Sequence, residues 1–302
     1  MAFTAKDVQA LREKTGCGMM DCKNALKETD GNMDAAIDYL REKGLASQAK
    51  KASRVAAEGT VVAMVEGDVA VALEINTETD FVAGNEEFKT FADKVAKAVI
   101  ANNPADIDAL MASPYEGSTV SELKEEVFLK FRENIQIRRF VRLEGKVVNY
   151  VHAGGKIGVL VQLDTDLDMN DALVAMGKNV AMQVAAMNPS YLDQASVPAE
   201  DLEKEKGILI AQMKEDPKMA NKPDAVLGKI VEGKIGKFYK ENCLVEQQYV
   251  IDNDLTVGKY VDSVAKEQGG AVKIASFVRF EKGEGIQKRE DDFASEVASM
   301  IK

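Results

Sequence analysis

The chain has 302 residues, 46% of them apolar and 29% charged, which are values of a folded protein and not of a disordered one. Its length exceeds what one ordinary core needs and implies two domains with small appendages. A net charge of −11, a single His and no Trp argue against direct binding of nucleic acid and leave little imidazole or base-stacking chemistry.

No apolar segment follows Met1, and no run is long enough to span a bilayer, so neither a signal peptide nor a membrane partner is expected. The cysteines, Cys17, Cys22 and Cys243, are sparse and odd in number, which suits a reducing, cytoplasmic compartment. Cys17 and Cys22 lack the further ligands that zinc requires, so they read as small buried groups and no metal site is expected.

Residues 1–52 read as a three-helix bundle. Thr4 to Asp7 fits a capping box ahead of Val8 and Leu11. Thr15-Gly16-Cys17-Gly18 breaks the first helix. Met19, Met20, Cys22, Ala25 and Leu26 line a second, and Ala36, Ile37, Tyr39 and Leu40 line a third that stops before Gly44. Lys50 to Arg54 reads as a solvated basic link.

The remainder is dominated by an internal repeat, which makes the fold class α+β. Val61 to Gly67 leads through a turn to Val69, Val71, Leu73 and Ile75, alternating with period two. Val147 to His152 leads through Ala153-Gly154-Gly155 to Ile157, Val159, Val161 and Leu163 in the same way. Each hairpin precedes an acidic loop, then a helix ending in Asn-Pro, at Asn103-Pro104 and Asn188-Pro189. The repeat therefore predicts two α+β modules with antiparallel sheets, at 53–143 and at 144–198 with 242–286. In the first, a capping box at Thr119 to Glu122 opens a helix carrying Val120, Leu123, Val127, Phe131 and Ile135, and a strand from Ile135 to Phe140 completes the sheet. Arg138 and Arg139 read as that strand's solvent face.

Residues 199–241 interrupt the second module. Leu202, Leu209 and Met213, then Leu227, Val231 and Phe238, recur near heptad spacing on either side of Pro217 and Pro223. They predict an inserted antiparallel hairpin of coiled-coil type. Leu244, Val250 and Ile251 resume the sheet pattern. A helix with Val257, Tyr260, Val261 and Val264 and a strand with Val272, Ile274, Val278 and Phe280 follow, and a last helix spans Phe293 to Ile301 within a C-terminal unit at 287–302.

No catalytic constellation is visible. His152 stands alone at a hairpin turn. Gly228 to Ile235 nearly spells a phosphate loop, but Ile235 occupies the place of the Mg²⁺-binding hydroxyl and the stretch lies inside a helix pattern. Gly283-Glu284-Gly285 reads as a turn. A hydrolase or transferase would use the acidic loops at Asp80 and Asp166, where only Asp166 and Asp168 are clustered, and a binding adaptor would use the first bundle.

The most informative stretch runs from Glu74 to Gly84. It starts as an alternating strand and ends in Thr79-Asp80-Phe81-Val82. Either Phe81 turns into the core while Asp80 caps the next helix, or both project as a probe for another protein. The second module has Asp166-Leu167 at the corresponding place and no aromatic, which favours the probe.

Leu11-Arg12-Glu13-Lys14-Thr15-Gly16-Cys17-Gly18-Met19-Met20-Asp21-Cys22-Lys23-Asn24-Ala25-Leu26 resembles the N-terminal signature of the bacterial translation elongation factor Ts family. Thr79-Asp80-Phe81-Val82-Ala83 matches that family's central motif, and Asn134 to Arg139, Gly158 to Val161, Met182 to Ala186 and Val278 to Ile286 follow in order. Cys17 stands where Ala is commoner, Asn24 where a basic residue is, and Gln247-Gln248-Tyr249 where Gln-Pro-Phe is usual. The resemblance implies a ubiquitin-associated-like (UBA-like) first bundle, two related core subdomains, a coiled-coil insertion and a C-terminal helical module. It implies a guanine nucleotide exchange factor, without covalent chemistry or cofactor, for the GTPase elongation factor Tu. Thr79, Asp80, Phe81 and Val82 would then dislodge Mg²⁺ from the GTPase, with Met19, Met20, Lys23 and His152 as further contacts. A homo-oligomer, or a complex of two copies with two partners, stays open.

Overall fold

The computed structural model describes residues 3–15, 17–215 and 224–287. Asp216-Pro217, Lys222-Pro223, Gly16 and the helix expected at Phe293 to Ile301 lie outside them.

Three helices open the chain: α1 (Ala5–Thr15), α2 (Met19–Glu28) and α3 (Met33–Lys51). Asp7 accepts from the Thr4 backbone N–H at 2.7 Å, so the expected first cap forms. Leu11, Cys17, Cys22, Ala25, Leu26, Ala36 and Leu40 make a small buried core. Two expectations change here. Met19 and Met20, in the first turn of α2, are exposed rather than part of the core stripe. And α3 does not stop at Gly44 but runs through it to Lys51. A side chain at Gly44 would meet Leu129, so this glycine permits close helix packing rather than ending a helix.

The first module is β1 (Glu58–Glu66), β2 (Val69–Thr77), α4 (Asp80–Ala83), α5 (Glu86–Asn102), α6 (Ile107–Ala112), the two-residue strands β3 (Pro114–Tyr115) and β4 (Ser118–Thr119), α7 (Val120–Phe131) and β5 (Gln136–Glu144). Its sheet is antiparallel in the order β1-β2-β5. The capping box at Thr119 and Glu122 forms as expected. The second module is β6 (Val147–His152), β7 (Ile157–Thr165), α8 (Asp171–Met187), α11 (Val257–Gln268) and β8 (Val272–Glu281), with sheet order β6-β7-β8. Between α8 and α11 lie α9 (Ala199–Glu215) and α10 (Asp224–Asn242). Leu209, Met213, Leu227, Val231 and Ile235 bury one face of these two helices against each other. Phe238 instead packs at the root, its ring 6.3 Å from that of Tyr191. Val250 and Ile251 are exposed loop residues, not strand; the sheet resumes only at β8.

The repeat extends to backbone detail. Both long helices end on an Asn in the left-handed region, Asn103 at φ 46° and Asn188 at φ 45°, each followed by Pro. Both sheets carry an irregularity at the matching step, Glu74/Ile75 and Gln162/Leu163.

The two sheets lie back to back. On one outer face Val71, Leu73 and Ile75 pack under Phe88, Phe91 and Val95 of α5 and Val120 and Leu123 of α7. On the other, Val159, Val161 and Leu163 pack under α8 and α11. Between the sheets, Val61, Ala63, Ala70 and Ala72 meet Val147, Leu160 and Phe280. The period-two alternation in β2 is therefore not apolar against solvent. It is large apolar against small, and both faces are buried. Gly158 keeps the sheets close, because a Cβ there would lie 2.5 Å from Val61 Cγ1. Valine cannot rotate away cheaply. Gly158→Ala is expected to destabilise the chain by about 1–3 kcal/mol, the cost of overpacking, read as a lower urea midpoint at constant slope. An unchanged midpoint would mean that the sheets separate freely.

Candidate functional site

The site is built at the exit of β2. Thr77 ends the strand, Thr79 caps α4, and α4 is a single turn closed by backbone bonds from Ala83 to Thr79 and from Gly84 to Asp80. Successive side chains on a helical turn point about 100° apart, so Phe81 and Val82 cannot share a face. Val82 takes the inward direction and joins the core of Val71, Phe88 and Val95. Phe81 takes the outward one and is 87% exposed, with Asp80 exposed beside it. A largely solvated Phe on the first turn after a strand has no role in this core, and a rigid apolar projection of that kind suits capture by a partner.

Glu133, just past α7, holds the exit. Its Oε2 accepts from the Thr77 hydroxyl at 2.8 Å, the Glu78 N–H at 3.1 Å and the Thr79 N–H at 3.0 Å. Its Oε1 accepts from the Thr79 hydroxyl at 2.6 Å. Glu78 answers by accepting the Asn134 N–H at 2.7 Å.

The second module clarifies which parts are extra. Aligned on their bulges, Thr77 matches Thr165 and Glu78 matches Asp166. Asp166 accepts the Ala271 N–H at 2.9 Å, the same clasp that Glu78 makes. The expected pairing of Asp80-Phe81 with Asp166-Leu167 is thus corrected. The second module passes from Thr165 directly to Asn170, the cap of α8, while the first inserts α4 before Asn85 caps α5. Leu167 and Met169 pack on their own core. Phe81 has no counterpart.

Glu74 lies behind the exit and is fully buried. Arg138 Nη1 reaches it at 2.9 Å and Arg139 Nε at 2.6 Å, and the Gly283 N–H donates at 2.8 Å. Consecutive strand residues normally point to opposite faces. The bulge at Arg138 breaks that rule and lets both guanidinium groups address one carboxylate. The reading of Arg138 and Arg139 as a solvent face is therefore overturned. Arg139 also covers the Phe280 ring at 4.2 Å and pairs with Glu284 at 3.0 Å.

The remaining expected residues fall in two places. Met19, Met20 and Lys23 are exposed on α2. Asp21, among them, pairs with Arg132 at 2.9 Å, beside Glu133. Lys51 donates to the Arg132 carbonyl, and Asn134 to the Ala52 and Arg54 carbonyls. The basic link at residues 50–54 is largely exposed, as expected, but it is tied down at both ends. His152 is exposed at the end of β6, 3.0 Å from the Tyr150 hydroxyl, and the turn after it is fastened to β1 by the Val61 N–H donating to the Gly155 carbonyl.

Among the described residues no group of His, Cys, Asp and Glu is placed to hold a metal ion, and no helix is long and apolar enough to cross a membrane. Cys17, Cys22 and Cys243 are buried free thiols. Burial pushes Cys243 up from 9.0 to about 11. Its neutral form is thus favoured by folding, a contribution present in full below pH 9.0 and lost as pH rises through about 11. Native protein at pH 8 is expected to resist an aromatic disulfide reagent until urea unfolds it. One fast-reacting thiol would contradict that.

Sequence reasoning missed Glu133 and Glu74. Glu133 shows no local sign beyond following a helix, and Glu74 looks like an ordinary outward strand position. Only a second sheet packed behind the first reveals what Glu74 does.

A family model described as Elongation factor TS matches residues 78–284. The chain is 50% identical to the elongation factor Ts of Syntrophotalea carbinolica, with all of both chains covered. It is 48% identical to that of Magnetococcus marinus, covering 100% of this chain and 99% of the relative, and 46% identical to that of Clostridium kluyveri, covering 99% of each. The match and these identities show that the chain belongs to the elongation factor Ts family.

Proposed function

We propose that this chain is the guanine nucleotide exchange factor of elongation factor Tu, with Asp80 and Phe81 as the probe that dislodges Mg²⁺ and releases GDP. Family membership implies the role in translation elongation and the partner. The observation that carries the mechanism is a Phe that is 87% exposed on a turn that the second module lacks.

An exchange factor need not touch GDP. It binds the nucleotide-free GTPase more tightly than the loaded form, and linkage weakens GDP by the same factor. Each tenfold of weakening needs about 1.4 kcal/mol of differential contact. Burying Phe81 in the partner is worth about 1.5–3 kcal/mol, the right order for a tenfold to hundredfold effect. Mg²⁺ and GDP hold each other through phosphate charge, so a carboxylate brought near the metal site competes for its surroundings. Asp80 is the exposed carboxylate next to the wedge. Thr79 and Val82 set its direction, one as cap and one as anchor.

Met19, Met20 and Lys23 form a second contact face, with His152 a third. The division into 1–52, 53–143, 144–198 with 242–286, 199–241 and 287–302, the UBA-like character of the first helices, the coiled-coil character of the hairpin and a cytoplasmic setting belong to the same reading. A hydrolase reading has less support, since Asp166 is engaged in holding Ala271.

The test is release of fluorescent GDP from elongation factor Tu, with and without this chain. Acceleration at substoichiometric amounts is expected. Binding without acceleration would replace the proposal with an adaptor.

A further inference from the structure

Glu133 stands out as a half-buried acceptor whose side-chain hydrogen bonds go to one short segment. Both its oxygens are occupied, by the Thr77 hydroxyl, the Glu78 and Thr79 N–H groups and the Thr79 hydroxyl. A carboxylate offers about four lone-pair sites; here Oε2 takes three donors and Oε1 one, all from Thr77 to Thr79. The Thr79 hydroxyl, by donating to Glu133, turns its lone pair toward the Val82 N–H, which it caps at 3.4 Å. The chain of contacts therefore runs from Glu133 through Thr79 into the turn that carries Asp80 and Phe81.

The second module serves as an internal control. Its clasp between Asp166 and Ala271 reproduces that between Glu78 and Asn134, so this clasp belongs to the module fold. The residue before Asn134 is Glu133, and the residue before Ala271 is Gly270. Gly270 has no side-chain acceptor to offer, and a side chain there would strike Leu167. The module without the projecting turn is thus the module without the carboxylate. Glu133 and α4 occur together and are missing together.

We infer that Glu133 is a positioning residue for exchange: it folds the exit of β2 so that Asp80 and Phe81 project, without itself touching the partner. The inference rests on the exchange reading for its kinetic consequence, but not for its structural one. Glu133→Gln keeps the shape and replaces one acceptor oxygen by an amide that cannot accept from Thr79 or from the backbone. Amide exchange at Val82, Ala83 and Gly84 is expected to quicken about tenfold or more in this variant, with α5 and β2 unchanged. In GDP release from elongation factor Tu, the plateau rate is expected to fall about tenfold while the half-saturating concentration moves less than threefold, since the α2 face is untouched.

A residue that merely stabilises the fold would lower the unfolding midpoint and leave the plateau alone. In an Asp80→Ala, Phe81→Ala background, Glu133→Gln is expected to add nothing further, because both groups it positions are gone. Thr79→Val, which removes the same hydroxyl from the other side, is the second variant should Glu133→Gln fold poorly, and it is expected to behave alike. Unchanged amide exchange at 82–84, or additive losses with the Asp80→Ala, Phe81→Ala double variant, would overturn the inference. If wild type fails to release GDP, the exchange reading falls, and the amide measurement alone then decides what Glu133 does.

Discussion

Phe81→Ala is expected to lower stimulated GDP release from elongation factor Tu by about tenfold to hundredfold, and to leave the chain's own stability within about 0.5 kcal/mol of wild type. The asymmetry follows from exposure. A side chain 87% exposed contributes almost nothing to its own core, whereas burial in a partner engages most of its apolar area. Asp80→Ala is expected to add a smaller loss. Stopped-flow release and urea unfolding measure the two quantities on the same sample. If the Asp80→Ala, Phe81→Ala double variant matched wild type in release at equal concentration, the wedge would be wrong.

Removing both guanidinium groups, as Arg138→Met with Arg139→Met, is expected to cost about 3–5 kcal/mol, because it strands a buried carboxylate. Glu74 would keep only the N–H groups of Asn76 and Gly283. Glu74→Gln is expected to cost less, about 1–3 kcal/mol. Its two former partners are about a third exposed, and Arg139 still has Glu284. The second module already uses the neutral arrangement: Gln162, at the position of Glu74, accepts from the Ser276 hydroxyl at 2.9 Å. Urea midpoints of the two variants decide the order. Should Glu74→Gln prove the costlier, the pair of arginines would not be there to neutralise Glu74.

Within the site, Thr79 to Val82 is readable as a motif, but its geometry is not. The two directions open to Phe81 differ by one step around a helical turn. Which one it takes depends on whether Val82 or Phe81 fits among Val71, Phe88 and Val95. Glu133 is far from Thr79 in the chain, and nothing near it announces a partner. The same holds for Gly44, whose local signal is helix termination and whose actual service is room for Leu129.

Elements that depend on near neighbours can be read from the chain alone. These are the capping boxes at Thr4 and Thr119, the Asn-Pro helix ends, the paired hairpins, the repeat and the family. Caps, turns and periodicity are satisfied within a few residues, so they can be read locally. What faces what depends on contacts between distant parts of the chain. Packing two sheets back to back buried the alternate face of β2, turned Glu74 from a surface acid into a paired core charge, and drew Arg138 and Arg139 inward through a bulge. It also showed that α4 is an addition to the module rather than a variant of its loop. Burial and register are set by residues distant in sequence, and the projection of Phe81 is the outcome of both.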